Sequence, residues 1–222
     1  MNESSSKSCA FRFKRLPDGS LRKLKAIFCV RGEQQTIGVD FFQTYAPVVS
    51  WNTIRTLLIL STIYNLSSCQ VDYTAAFVHA EVKEDIYIEM SHGFFKPGKV
   101  LKLKKSLYGL RQSPRNFFEH LKSKFAKLGF RQATSDPCLF IIENFVCIVY
   151  VEDTLFFSSS QSYSNHTLEQ PRLEGLELNV EDDVAGFLGV HMNRQLDGST
   201  EMTQTGLIEF IIKALGLEHN RS

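Results

Sequence analysis

Residues 137 to 160 read PCLFIIENFVCIVYVEDTLFFSSS. Three runs rich in Ile, Val, Phe and Tyr are parted by two-residue polar breaks, Glu143-Asn144 and Glu152-Asp153. That pattern predicts a meander of two successive hairpins. A plain acidic turn is one reading of the second break, since acidic residues are common in turns. Two-residue hairpin loops favour Gly or Asn, however, and Glu is an unusual choice there. The oddity points to a chemical duty for the pair.

Upstream of the meander, Arg115 to about Leu128 predicts a helix. Phe117, Phe118, Leu121, Phe125 and Leu128 form its apolar stripe, with Lys122, Lys124 and Lys127 largely off it. Core packing accounts for these aromatics without a stacking role on bases. Before it lie a basic strand over Lys99–Leu110, a loop over Gly93–Pro97 and an alternating strand over Glu84–Met90. Ser68–Phe77 reads as a short strand passing into a helical start. Asn52–Leu66 has helical spacing at Ile54, Leu57, Leu58, Ile63 and Leu66, with polar capping candidates at Trp51-Asn52-Thr53. Pro17-Asp18-Gly19-Ser20 predicts a hairpin turn, and residues 1–10 read as a disordered lead-in. Downstream, Pro171 interrupts any helix around it. Gln195 to Gly198 signals another hairpin, and residues 206–217 place Ile208, Ile211, Ile212 and Leu215 on one helix face.

The chain has 222 residues, 43% hydrophobic and 22% charged, an ordinary globular composition with room for one large domain or two small ones. No apolar run reaches the ~18 residues that span a bilayer, and the N-terminus has no apolar signal core. The expectation is an intracellular protein, cytoplasmic or nuclear, with no membrane partner. Five widely spaced cysteines without a C-x-x-C pair read as reduced core residues, not a zinc site or disulfide frame.

Net charge is +1, but it is sharply partitioned. Residues 1–31 carry +6, 32–95 carry −5, 96–127 carry +9 and 128–222 carry −9. Such blocks suit a protein that holds a polyanion while gathering carboxylates elsewhere; equally, paired surfaces neutralise one another in the fold.

Asp72 is the sole charge in its apolar strand, and a carboxylate there is costly unless something pairs with it. A solvent-facing Asp at a strand end is the plainer reading. Carboxylates from separate strands, Asp72 with Glu152 and Asp153, are what a two-metal phosphoryl-transfer site requires. Hard oxygen ligands select magnesium, with manganese the alternative, over zinc. The +9 block, with Lys102, Lys104, Lys105, Arg111 and Arg115, offers salt-sensitive contacts to polynucleotide phosphates.

These residues carry a resemblance. The segments LKAIFCVRG (24–32), GVDFFQTYAPVVSWNTIR (38–55), QVDYTAAFVHAEV (70–82), GKVLKLKKSLYGLRQSPRNFF (98–118), DPCLF (136–140), YVED (150–153), FLGV (187–190) and MTQTGLI (202–208) resemble, in order and interval, the reverse transcriptase domain of copia-type retrotransposons. The resemblance implies an α+β right-hand polymerase. An antiparallel sheet carries the carboxylates and helices pack on it, with partial fingers over about 11–50, a palm over about 51–216 and a truncated tail at 217–222. It implies an RNA-directed DNA polymerase that adds dNTPs to a DNA primer on an RNA template. Asp72 matches the first metal-binding carboxylate, and Glu152 and Asp153 match the paired aspartates of a YVDD turn. Phe77 matches the aromatic gate against a ribose 2′-hydroxyl. Lys25 and Arg31 are candidates for the incoming triphosphate, and Gly109 to Arg115 matches the segment under template and nucleotide. Phe187, Leu188 and Gly189 resemble the hairpin that grips the primer end.

The chain also departs from that pattern. Glu152 stands where Asp is usual, and one extra methylene displaces a carboxylate by about an ångström, which can cost ~10²-fold in rate. Ile27 stands where Arg is common, and Pro171 falls where a helix is expected. The chain starts within the fingers and carries no ribonuclease H, integrase or protease segment. Two outcomes follow: a polymerase domain impaired at Glu152, or a non-catalytic retrotransposon remnant, unused or nucleic-acid-binding.

Overall fold

The computed structural model describes residues 7–15, 21–91, 93–159, 175–181, 191–195 and 199–217. Its elements in chain order are β1 (Lys7–Arg15), β2 (Leu21–Val30), α1 (Trp51–Ile63), β3 (Ser67–Tyr73), β4 (Tyr87–Glu89), β5 (Val100–Lys102) and α2 (Ser113–Lys127). There follow β6 (Arg131–Gln132), β7 (Leu139–Ile142), β8 (Phe145–Tyr150), β9 (Asp153–Ser158), β10 (Leu178–Glu181), β11 (His191–Arg194), β12 (Thr200–Thr203) and α3 (Thr205–Ala214). The chain divides into two units built from alternating segments, residues 1–47 with 75–124 and residues 48–74 with 125–222. A single boundary near residue 50 therefore does not follow the units, because 75–124 returns to the first.

In the first unit β1 and β2 form the expected antiparallel hairpin, running from Lys7 opposite Val30 to Arg15 opposite Leu21. The lead-in is shorter than its Ser-rich composition implied. Lys7 to Ala10 are strand, because pairing with the apolar end of β2 supplies order that the local sequence lacks. Val30, Ile86, Ile88 and Leu110 form a buried cluster, with Phe28, Val82, Leu103 and Leu107 packed against it. The long basic strand expected over 99–110 is only three residues, Val100–Lys102. Beyond it the chain makes single bridges, Lys105 to Glu81 and Tyr108 to Cys29. Farther on, Gly109 is fixed by a close backbone approach. Its φ is +91°, and a Cβ there would lie 1.9 Å from the carbonyl oxygen of Val30. Backbone passes so close that only glycine fits, in a conformation no strand adopts.

The second unit is a six-stranded antiparallel sheet ordered β10-β3-β9-β8-β7-β6. The meander β7-β8-β9 forms as expected. One face carries Phe140, Phe145 and Phe156 against Phe125 and Phe130, with ring centroids 5.1–6.4 Å apart. On the other face Ile148, Leu155 and Phe157 are also buried. Helix α1 presents Ile54, Leu57 and Leu58 to the interior, while Ile63, expected on the same face, is 67% exposed. Its cap is Ser50, whose Oγ accepts the Thr53 N–H at 3.1 Å, and not the 51–53 segment. Asp136, almost fully buried, clasps this helix start. It accepts the Ser50 N–H at 3.0 Å and the Thr53 hydroxyl at 2.6 Å, and also the Cys138 N–H at 2.9 Å. β11 and β12 pair as the expected hairpin, its tip and the interruption at Pro171 lying outside the described residues. Cys69, Cys138 and Cys147 are buried and none of the five cysteines is bridged. Among the described residues no helix is long and apolar enough to cross a membrane.

Candidate functional site

The second break in the meander is shifted by one residue from its sequence reading. The turn is Val151-Glu152, and Asp153 is the first residue of β9, opposite Tyr150. Val151 takes φ +53°. Positive φ at the first position of a two-residue hairpin loop is the type II′ arrangement, where Gly is favoured. A β-branched residue there is strained by about 1–3 kcal/mol.

The shift decides what Asp153 faces. As a strand residue it is paired in register with Asp72 of β3, and Asp72 is in turn opposite Asn179 of β10. Opposed residues of antiparallel strands project to the same face, with Cα atoms about 4.5–5.5 Å apart. Two carboxylates, half-buried at one end of a buried sheet, therefore stand side by side. Like charges directly opposite one another destabilise a sheet. The Gln70 side chain, one step along the same face, donates to Asp153 Oδ1 at 3.5 Å. Behind the pair, Tyr73 and Thr154 are fully buried, with the Thr154 hydroxyl 3.4 Å from the Tyr73 oxygen. Burial pushes the Tyr73 hydroxyl well above its ordinary pKa, so it stays neutral support.

The donor set fits a hard divalent cation, since adjacent carboxylates are relieved of their repulsion by one. Glu152 stands in the turn, not the strand. Among the described residues no group of three His, Cys, Asp or Glu side chains is disposed to hold a metal ion. The structure thus brings Asp72 and Asp153 together without a third member.

The other expected residues up to Arg115 belong to the first unit. Phe77 is buried, its ring 4.6 Å from Tyr108 and 6.1 Å, edge-on, from Phe117. Gly109 has the packing role described above. Arg111 donates from Nε to the Gly32 carbonyl at 2.8 Å and lies over the Phe41 ring. Arg31 is exposed and paired with Glu33 at 2.6 Å, which lowers the pKa of that carboxyl. Lys102 pairs with Asp85, and Lys105 with Glu81 at 3.7 Å. Part of the +9 block is therefore neutralised by the acidic block before it. Lys104 is exposed, and Arg115 lines a cleft with His79 and His120. Phe187, Leu188, Gly189 and the Lys25 side chain lie outside the described residues.

Sequence reasoning missed Gln35 and Gln112. Both are buried, with Gln35 Nε2 donating to Gln112 Oε1 at 3.0 Å and Gln35 Oε1 accepting the Arg111 N–H at 2.8 Å. Gln112 Nε2 donates to the Asp40 carbonyl at 2.8 Å. This amide pair fixes the backbone of the GLRQ segment. Its available signal was two amides flanked by glycine-bearing turns, too weak to pair across the chain.

Residues 9–222 match the family model described as reverse transcriptase (RNA-dependent DNA polymerase). The chain belongs to the reverse transcriptase family. The retrovirus-related Pol polyprotein from transposon TNT 1-94 of Nicotiana tabacum is 38% identical over 65% of this chain and 12% of its own length. That from transposon RE1 of Arabidopsis thaliana is 29% identical over 80% of this chain and 12% of its own. The transposon Ty1-H Gag-Pol polyprotein of Saccharomyces cerevisiae is 32% identical over 67% and 8%. This reverse transcriptase sequence thus spans roughly a tenth of the polyproteins it matches. The copia-type resemblance is borne out by these relatives. A solved foamy viral protease-reverse transcriptase in complex with double-stranded DNA aligns with TM-score 0.46 at 15% identity, over 90% of this chain and 31% of that one.

Proposed function

We propose that this reverse transcriptase domain is built for RNA-directed DNA synthesis, with the second unit as palm and the β1–β2 hairpin as part of the fingers. The observation that carries this reading is the register of Asp72 with Asp153 on one face of the sheet. Asp72 and Asp153 would hold magnesium or manganese. Bound there, such ions supply charge stabilisation to the attacking and leaving oxygens of an in-line displacement. The reaction is attack of a primer 3′-hydroxyl on the α-phosphate of a dNTP, with release of pyrophosphate. The carboxylates fix the reacting end against the buried strands. Phe77 serves as the gate against a 2′-hydroxyl, its ring held by Tyr108 and Phe117. Arg31, Lys104 and Arg115 hold phosphates of triphosphate and template, with Lys102, Lys105 and Arg111 released from their internal partners to join them. Lys25 and residues 187–189 keep their places in this reading as triphosphate and primer-end contacts.

A second reading is favoured by Glu152. In it the domain binds nucleic acid without extending it, Asp72 and Asp153 standing without a third carboxylate among the described residues. Primer extension on an RNA template, with magnesium and then manganese, separates the two. We expect native protein to be weak or silent and Glu152→Asp to gain about 10²-fold, the scale of a one-ångström misplacement. Silence of both proteins on a folded sample would leave only the binding reading.

A further inference from the structure

Strand β3 buries an amide that packing does not call for. Gln70 is only 9% exposed and stands opposite the fully buried Leu155 of β9. The next pair on that face is Ser68 with the buried Phe157. An aliphatic side chain would fill such a place without desolvating an amide, which costs free energy unless its polar atoms are paired. The amide donor is directed at the carboxylate pair. Gln70 Nε2 reaches diagonally to Asp153 Oδ1 at 3.5 Å. Diagonal neighbours on antiparallel strands lie about 7–8 Å apart, a span that a long side chain covers. The nitrogen belongs on this side of the amide, because its oxygen would meet a carboxylate oxygen there. Asn179, directly opposite Asp72, is spent otherwise: it is exposed and gives its Nδ2 to Thr74 Oγ1 at 3.1 Å.

We propose that Gln70 is a positioning residue of the cation site, its amide holding the Asp153 carboxylate in the orientation that an ion shared with Asp72 requires. The proposal rests on reading that pair as cation ligands. Asp153 opens β9 directly after the turn in which Val151 takes positive φ, and it is half-buried, so its carboxylate can swing toward water. Repulsion from Asp72 favours the same swing. An N–H on Oδ1 opposes it, both by fixing the side-chain torsion and by offsetting part of the repulsion. A neutral amide suits this duty better than an ion. Lysine or arginine at position 70 would pair with the carboxylate and compete with the cation, whereas an amide orients the ligand and leaves its charge to the metal. The contact is long, so its hold comes from the place in which burial fixes the amide. Hydrogen-bond partners of metal-binding side chains typically carry about 10–100-fold in metal affinity.

The test is Mn2+ binding, read from the loss of the free-ion EPR signal, together with thermal melts in EDTA. The proteins are the native chain, Gln70→Met, Gln70→Leu and Asp153→Asn. Methionine keeps the length of glutamine and fills its space without a donor. Water can replace the lost amide at the half-buried Asp153, so we expect Gln70→Met to melt within ~2 °C of the native chain or above it. Its Mn2+ affinity should nevertheless fall about tenfold or more, with Gln70→Leu falling alike. Unchanged stability with weakened ion binding is the signature of positioning, because a packing role would move stability first. Native affinity in either folded variant overturns the proposal. So does weakened binding in both variants accompanied by melting temperatures lowered by more than ~5 °C, which would make Gln70 a packing residue. Mn2+ binding that is absent from the native chain, or undiminished in Asp153→Asn, refutes the carboxylate pair as ligands and this proposal with it. Tight native binding, lost in Asp153→Asn and kept in Gln70→Met, refutes this proposal alone.

Discussion

Asp72 and Asp153 face each other across β3 and β9. Without a cation their repulsion costs the folded state. For unit charges about 5 Å apart it is ~0.8 kcal/mol in bulk water and ~3 kcal/mol at an effective dielectric of 20. Both residues are only half-buried, which places the cost near the lower figure, about 1 kcal/mol. Asp72→Asn removes it and keeps the shape of the side chain. In EDTA at low salt we expect the variant to be more stable than the native chain by about 1 kcal/mol, or ~2–4 °C in melting temperature for a chain of this size. The advantage should fade toward 1 M salt, where the screening length is ~3 Å. Manganese at about ten times its dissociation constant should then stabilise the native protein by ~1.4 kcal/mol and the variant far less. The measurement is a set of urea and thermal melts with and without the ion. A variant that is no more stable in EDTA would refute the repulsion argument. An equal gain from manganese in both proteins would refute the pair as the ion's ligands.

Other perturbations separate support from chemistry. Val151→Gly relieves about 1–3 kcal/mol of strain against ~0.5–1 kcal/mol of added unfolded-chain entropy, so urea midpoints should show a net gain of about 0–2.5 kcal/mol; a clear loss would contradict the strain argument. Asp136→Ala removes three hydrogen bonds to a charged group and should cost ~3–4 kcal/mol by the same melts. Burial alone would raise the Asp136 pKa, but hydrogen bonds from Thr53, Ser50 and Cys138 outweigh it and hold it below the ordinary value. Its stabilisation is therefore complete above the ordinary carboxylate pKa of about 4 and is lost as pH falls through the lower folded value, so Asp136→Asn should flatten the acid limb of the stability curve. Gly109→Ala meets the Val30 carbonyl at 1.9 Å and should cost more than ~3 kcal/mol, read as faster amide exchange at the end of β2.

Local periodicity carried the reading of α1, α2, α3 and the meander, because each is decided by side chains a few residues apart. It failed where the decisive partner is distant. The strand expected over 99–110 stops at Lys102, and the contact that fixes Gly109, against Val30 some eighty residues away in sequence, leaves no local signal. The turn at 151–152 was misplaced by one residue because polarity marked Glu152-Asp153, while register with β3 claims Asp153 for the sheet. Asp72 and Asp153 could each be singled out by composition, but their opposition is a property of strand order, which no local pattern encodes. The Gln35–Gln112 clasp and the histidine cleft are of the same kind. Charge blocks were legible, and the pairing of Lys102 with Asp85 and Lys105 with Glu81 shows part of their use to be internal.

The position of β3 has a consequence for the birth of the chain. Its two neighbours in the sheet, β9 and β10, are both made long after it. At about 5–20 residues per second of synthesis, the ~80 residues separating Asp72 from Asp153 take some 4–16 s. Throughout that interval the strand stands with both edges bare, which is the condition for pairing with another nascent copy. Such copies would bring Asp72 against Asp72 or beside apolar neighbours, with no ion yet gathered to offset the charge. The carboxylate that burdens the finished sheet thus guards the unfinished one, as a gatekeeper against premature self-association.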